Sequence, residues 1–163
     1  MAKIAKGRMS AQLDGEFVVF LIGMRVDKPW KLHKWFPVFR AMGPMLVTLS
    51  KHKDLGLLHY TLWIGPKGPL LVQYWRSFEQ LTRFATDASL PHHGAWRAFN
   101  RRVGADGDVG IWHETYQVGP GRYEAVYANM PAFGLAAAGA HVPVARRGDT
   151  AEQRLHHDVT PAT

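Results

Sequence analysis

Phe17 to Arg25 is a nearly unbroken apolar run of strand length, and it is apolar on both alternating sides. Val18, Phe20 and Ile22 fall on one side; Phe17, Val19 and Leu21 fall on the other. Such a run predicts a buried central strand, stopped by Lys28-Pro29. From Trp30 to Lys53 the period changes. Leu32, Trp35, Phe36, Phe39, Met42 and Leu46 recur at helical spacing, while Pro37 and Gly43-Pro44 interrupt them, so a kinked or two-part helix is expected. Strands at Leu55–Ile64 and Leu70–Trp75 should pair as a hairpin through the Gly-Pro-Lys-Gly-Pro turn between them. Ser77 with Gln80 three residues on has the pattern of a capping box. Phe78, Leu81, Phe84 and Ala85 give that helix its apolar stripe as far as Asp87. After Pro91, a further helix is expected over His92–Val103, with Trp96, Phe99 and Val103 inward and Gly104 as its stop. Val109–Val118 reads as a fourth strand, and Gly119-Pro120-Gly121 turns the chain into a fifth, Arg122–Ala128. Gly134 to Gly139 suits a single helical turn.

These elements predict one α+β domain over residues 16–144, preceded by an N-terminal arm (1–15) and followed by a flexible C-terminal tail (145–163). The order strand, helix, strand, strand, helix, helix, strand, strand contains the split βαβ of ferredoxin-like folds. Helices then cover one face of an antiparallel sheet. Because the first strand is apolar on its other side as well, that face needs cover. The expectation is a homodimer with two sheets face to face, a dimeric α+β barrel.

Composition narrows the function classes. A chain of 163 residues with no cysteine has no disulfide, no thiolate metal site and no cysteine nucleophile. Three basic residues near the start, Lys3, Lys6 and Arg8, are not followed by the apolar stretch of a signal peptide. The longest apolar run is far too short for a bilayer, so a cytoplasmic protein without a membrane partner is expected. The net charge of +7 suits an anionic ligand or an ordinary basic surface. The cations are scattered and no nucleic-acid motif is present, so no nucleic-acid partner is expected.

Two histidines draw attention. His113 shares one face of the fourth strand with Val109 and Ile111, while Trp112, Glu114 and Tyr116 share the other. A histidine so flanked is either a hydrogen-bonded core residue or a general acid/base facing a pocket. Glu114, pointing the other way, is poorly placed to orient that ring within one chain. His92 and His93 open the helix after Pro91. They are surface residues near a cap, or one of them is a haem-iron ligand. Trp96 lies one turn from His93, where it would line a flat cavity, and Arg97 or Arg101 would pair a carboxylate such as a haem propionate. The alternative for both arginines is a solvated helix face. No His-Glu-x-x-His spacing supports zinc, and no glycine-flanked serine supports a hydrolase triad. His33, His52, His59 and His141 are isolated and are taken as structural or surface residues. The six tryptophans and eight phenylalanines are mainly core, yet they also suit a pocket for a small apolar or aromatic substrate.

Four segments carry a family resemblance: Tyr74–Leu81, His93–Gly104, Gly107–Tyr116 and Tyr123–Pro131. Together they resemble the monooxygenase-like family of the fumagillin pathway, over roughly Phe17 to Val144. The resemblance implies a dimeric ferredoxin-like α+β barrel and an oxidoreductase of secondary metabolism. A more distant likeness is to the haem-dependent aldoxime dehydratases, in which a helix-opening histidine holds iron and the histidine of a His-Glu strand acts as distal acid/base. By that likeness His93 is the proximal ligand and His113 the catalytic residue. The dehydratases are about twice as long, with two such modules, and their catalytic arginine and serine have no counterpart placed here. Three functions therefore stand at this point: a small-molecule monooxygenase, with haem or without a cofactor; a haem-dependent lyase; and a non-catalytic haem or ligand carrier.

Overall fold

The computed structural model describes residues 3–87 and 107–157. Their strands form two antiparallel sheets. The larger has the order β3-β4-β2-β5, built from β2 (Phe17–Val26), β3 (Leu57–Gly65), β4 (Gly68–Trp75) and β5 (Val109–Val118). Helix α1 (Leu32–Lys51) connects β2 to β3, and α2 (Phe78–Thr86) follows β4. Numbered from β2, the strand order is 4-1-3-2 with helical crossovers on one side, which is the ferredoxin-like arrangement expected.

The apolar run of β2 is the central strand it was expected to be, paired with β4 and β5 along its length. On one face, Val18 and Phe20 pack with Trp75, Leu49 of α1, and Leu81 and Phe84 of α2. Further along that face, Met24, Val26, Val109 and Ile111 pack against Trp35, Val38 and Phe39 of α1. The expected hairpin forms, with its turn at Pro66-Lys67. Gly68 is required there. Its φ is +137°, and a Cβ would lie 2.1 Å from the Met24 carbonyl oxygen.

Helix α1 is continuous through Pro37 and Pro44, contrary to the expected break. The burial of Trp35, Val38, Phe39 and Leu49 against the sheet holds both halves to one axis. Pro44 is exposed, where a carbonyl that loses its helical donor can turn to water. At α2, Ser77 accepts a hydrogen bond from the Gln80 backbone at 3.2 Å. The Gln80 side chain donates instead to the Asp54 carbonyl at 3.2 Å, tying α2 to the turn before β3.

The chain outside these elements departs from expectation. Residues expected to be a free arm form β1 (Ala5–Gln12), the centre of a second sheet ordered β6-β1-β7. The fifth strand is β6 (Tyr127–Met130), shorter and later than expected, and it pairs with β1 rather than folding back on β5. Tyr123 explains the detour. Its ring is buried edge-on against Phe17, and its hydroxyl accepts from the Leu13 backbone N–H at 3.0 Å. One turn of helix, α3 (Leu135–Ala138), leads into β7 (Ala140–Pro143). The expected loose tail carries a 3-10 turn and a further helix, α4 (Ala151–His156), capped by a reciprocal Thr150–Gln153 box. Arg147 and Arg154 are only 1% and 4% exposed. Arg154 ion-pairs with Glu124 and donates to the carbonyls of Gly148 and Asp149, and Arg147 stacks its guanidinium 4.8 Å from the Tyr123 ring centre.

The second sheet and α3 cover the Phe17 end of the main sheet's outer face. That face was expected to depend wholly on a partner; this chain covers part of it itself. Leu21 and Val72 remain half-buried there, and Trp63, Trp112 and Tyr116 remain exposed.

Candidate functional site

His113 stands opposite Ile22 in the β2–β5 register, between Ile111 and Thr115 on its own strand's face. Because Val18, Phe20 and Met24 of that face pack against α1 and α2, His113 is on the helix-side face of the sheet. Its ring lies 5.7 Å from that of Phe20, tilted by 39°. The side chain is exposed, so the buried core-histidine alternative does not describe it. An exposed imidazole next to Phe20 and Ile22 presents an acid/base group on an otherwise apolar strip.

Glu114 and Trp112 point to the opposite face, as the alternation of β5 required. Glu114 accepts a hydrogen bond from the Tyr116 hydroxyl at 2.7 Å, which with the carboxylate charge holds that phenol above its usual range. The Trp112 indole lies across β2, where a Cβ on Gly23 would come within 2.5 Å of it. Only glycine at position 23 lets the ring lie that close to the sheet.

His93, Trp96, Arg97 and Arg101, with His92 and the whole expected helix 92–103, lie outside the described residues. Among the described residues, no cluster of three or more His, Asp or Glu side chains is arranged to hold a metal ion. No helix among them is long and apolar enough to cross a membrane.

The helix-side face also carries a cleft of about 560 Å³ between α1 and the β3–β4 turn. Met24, Val26, Trp35, Phe39, Ile64 and Pro69 form most of its wall. Sequence reasoning named Trp35 and Phe39 only as core. His113 does not line the cleft, but Met24 follows Ile22 on the same face of β2, so one pleat step separates the cleft wall from the partner of His113.

At the mouth, Asp108 is buried and gathers Lys28 at 2.7 Å, Lys31 at 2.5 Å and Lys34 at 2.8 Å. The three ammonium hydrogen bonds hold its carboxyl far below the ordinary aspartate range. This pins the start of α1 to the start of β5, and so fixes the strand that carries His113. The Asp106-Gly107-Asp108 turn was legible in the sequence, but its three lysine partners, some 74 to 80 positions away, were not.

On the other side of the sheet, burial raises the hydroxyl pKa of Tyr74 and of Tyr127, and Tyr127 accepts from the Ala136 backbone at 3.3 Å. Burial, and secondarily Lys53, lowers the pKa of His59. These groups serve the junction of the two sheets.

A ferredoxin-like α+β domain with an apolar helix-side face, one cleft and one exposed histidine on that face defines a class of small-molecule proteins rather than a nucleic-acid or structural module. The chain belongs to the monooxygenase af470-like family, whose model matches residues 17–135. It is 27% identical over 151 residues to monooxygenase af470 of Aspergillus fumigatus, covering 79% of this chain. The chain spans 53% of that relative's length. Among solved structures, an aldoxime dehydratase in complex with butyraldoxime superposes with a TM-score of 0.52 at 17% identity, over 85% of this chain and 38% of that one. SnoaB, a cofactor-independent oxygenase from Streptomyces nogalater, gives a TM-score of 0.44 at 14% identity, over 62% and 91% of the two chains.

Proposed function

We infer that the chain is a monooxygenase-like oxidoreductase that transforms a small apolar or aromatic molecule on the helix-side face of its main sheet. The observation that carries the reading is the placement of His113: exposed, beside Phe20 and Ile22, on the face that holds the cleft, in a chain of a monooxygenase-like family. In the cofactor-free form of this reaction, His113 takes a proton from the substrate, and the electron-rich carbon left behind reacts with dioxygen.

In the haem-dependent form, His93 would hold the iron, with Trp96, Arg97 and Arg101 about the macrocycle, and haem would supply the redox chemistry. The described residues suit the distal side of such a group: an apolar strip with a single imidazole. The proximal set rests on the family resemblance. The lyase reading, of the aldoxime dehydratase type, is favoured by the same placement of His113, where a distal acid would protonate a leaving hydroxyl. The apolar outer surface at Trp63, Trp112 and Tyr116 supports a homodimer packed through that face.

Two measurements test the reading. An absorption spectrum after expression with haem supply should show a Soret band that moves or vanishes in His93→Ala if haem is bound; a colourless protein that takes up no added haem leaves the cofactor-free form. Oxygen uptake with electron-rich aromatic substrates should then fall by roughly 10²- to 10⁴-fold in His113→Ala, the usual weight of a general base. Unchanged uptake in that variant would remove His113 from the chemistry.

A further inference from the structure

We propose that the cleft between α1 and the β3–β4 turn binds an apolar molecule bearing an anionic group, with the anion at the lysine-rich mouth and the apolar part against Trp35 and Phe39. The proposal rests on reading the helix-side face as the one that meets the small molecule; it adds the class of that molecule and where it lies.

The volume, about 560 Å³, is that of small-ligand sites, which run from roughly 300 to 1,000 Å³. The wall is aliphatic and aromatic: Met24, Val26, Trp35, Phe39, Ile64 and Pro69. The Trp35 indole N–H is already used, donating to the Pro29 carbonyl at 2.9 Å, so the ring offers the cleft an apolar surface. Contact with such a wall gives affinity to any apolar molecule but selects none.

Selection comes from the rim. Lys67 lines the cleft from the hairpin turn, and its carbonyl accepts from the Val26 backbone at 2.7 Å, which fixes the turn against β2. Across the mouth runs the β2–α1 connection. Asp27 lines the cleft, but its carboxylate is paired with Arg25 at 3.2 Å. Next to it, Lys28, Lys31 and Lys34 surround the single carboxylate of Asp108. Among the described side chains of this corner, Arg25, Lys28, Lys31, Lys34 and Lys67 face only Asp27 and Asp108, so the corner keeps a positive charge. A neutral guest gains nothing from it, an anionic guest is attracted, and a cationic guest is repelled. One ammonium about 4 Å from a carboxylate in water is worth roughly fivefold in affinity, and more where solvent is partly excluded.

Calorimetric titration of the full chain with decanoate, decanol and decyltrimethylammonium tests this. Decanoate should bind at least about fivefold more tightly than decanol at low ionic strength, the advantage should shrink in molar salt, and the cation should bind weakest. Lys67→Glu should weaken decanoate roughly tenfold and leave decanol within about twofold. Ile64→Asp, at a position 69% exposed and so tolerant of a charge, should weaken both. Circular dichroism verifies that each variant is folded. Equal affinities for decanoate and decanol, an unchanged decanoate affinity in Lys67→Glu, or no binding of decanoate overturns the proposal. Loss of decanoate binding in His113→Ala would also overturn it, by placing the ligand on the histidine rather than in the cleft. If decanoate binds as described while His113→Ala leaves oxygen uptake intact, the oxidoreductase reading fails and the site stands.

Discussion

The two faces of the four-stranded sheet are covered by different means. The inner face is roofed by helices from the same unit, α1 and α2, through large apolar side chains at helical spacing. The outer face is covered at one end by a small sheet assembled from distant parts of the chain, and at the other end it keeps Trp63, Trp112 and Tyr116 exposed. The inner face is local in sequence and holds the cleft and His113. The outer face depends on polar and charged groups from both ends of the chain, with Ser10, Arg147 and Arg154 among its most buried members. One sheet thus keeps its chemistry on the side built by hydrophobic periodicity and its assembly on the side built by specific polar pairing.

The sharpest break on the inner side is Trp75→Ala. This ring is fully buried and donates its indole N–H to the Gln73 amide oxygen at 2.8 Å. Its loss leaves a large cavity and an unmet buried acceptor, and chemical denaturation should show a destabilisation of about 3–5 kcal/mol. On the outer side the counterpart is Arg154→Ala. It removes the ion pair with Glu124 and strands two carbonyls; because Glu124 is part-exposed, the expected loss is about 3 kcal/mol, at the low end for a broken buried pair. Proteolysis confined at first to the C-terminal segment, with the four-stranded sheet intact, would show that the outer cover is a separate cooperative unit. Equal protection of both would merge the two.

A smaller effect separates the exposed end of the outer face from both. Trp112→Glu should leave monomer stability nearly unchanged but convert the proposed dimer to monomer in sedimentation equilibrium. Wild-type protein that sediments as a monomer would leave this apolar surface without its proposed partner. The mildest test concerns pH. The folded-state pKa of Asp108 is depressed, so its ion pairs stabilise the fold fully above the unfolded aspartate value, near 4, and this contribution is lost as pH falls below that. Asp108→Asn should therefore lower the melting temperature at pH 7 and converge on wild type as the pH approaches 2. A constant gap across that range would assign the loss to packing instead.

What the sequence disclosed follows the same division. β2, the hairpin, α2 with its Ser77 cap and the facing of β5 were legible because each rests on a period or a cap read within about ten residues. The side of the sheet bearing His113 followed from alternation alone. β1 was missed because its buried residues, Ser10 and Ala11, are small or polar, and its pairing is with residues more than 115 positions away. The ordered C-terminal segment was missed because its anchors are arginines, which hydropathy assigns to water. Its Thr150-x-x-Gln153 start is the same signal that identified α2, and would have found it. The cleft escaped because it arises where α1 meets the hairpin turn, a juxtaposition no local pattern contains. The continuous α1 shows packing overriding two prolines.

The three-stranded sheet has β1 at its centre, between strands that begin at residues 127 and 140. A ribosome therefore delivers the middle strand long before either neighbour exists. β2 to β5 can pair while β1 still waits, its N–H and C=O groups held by water and its Ala11 side without cover. The last part to assemble joins the earliest and latest segments made, so errors late in synthesis should appear at the protein's beginning.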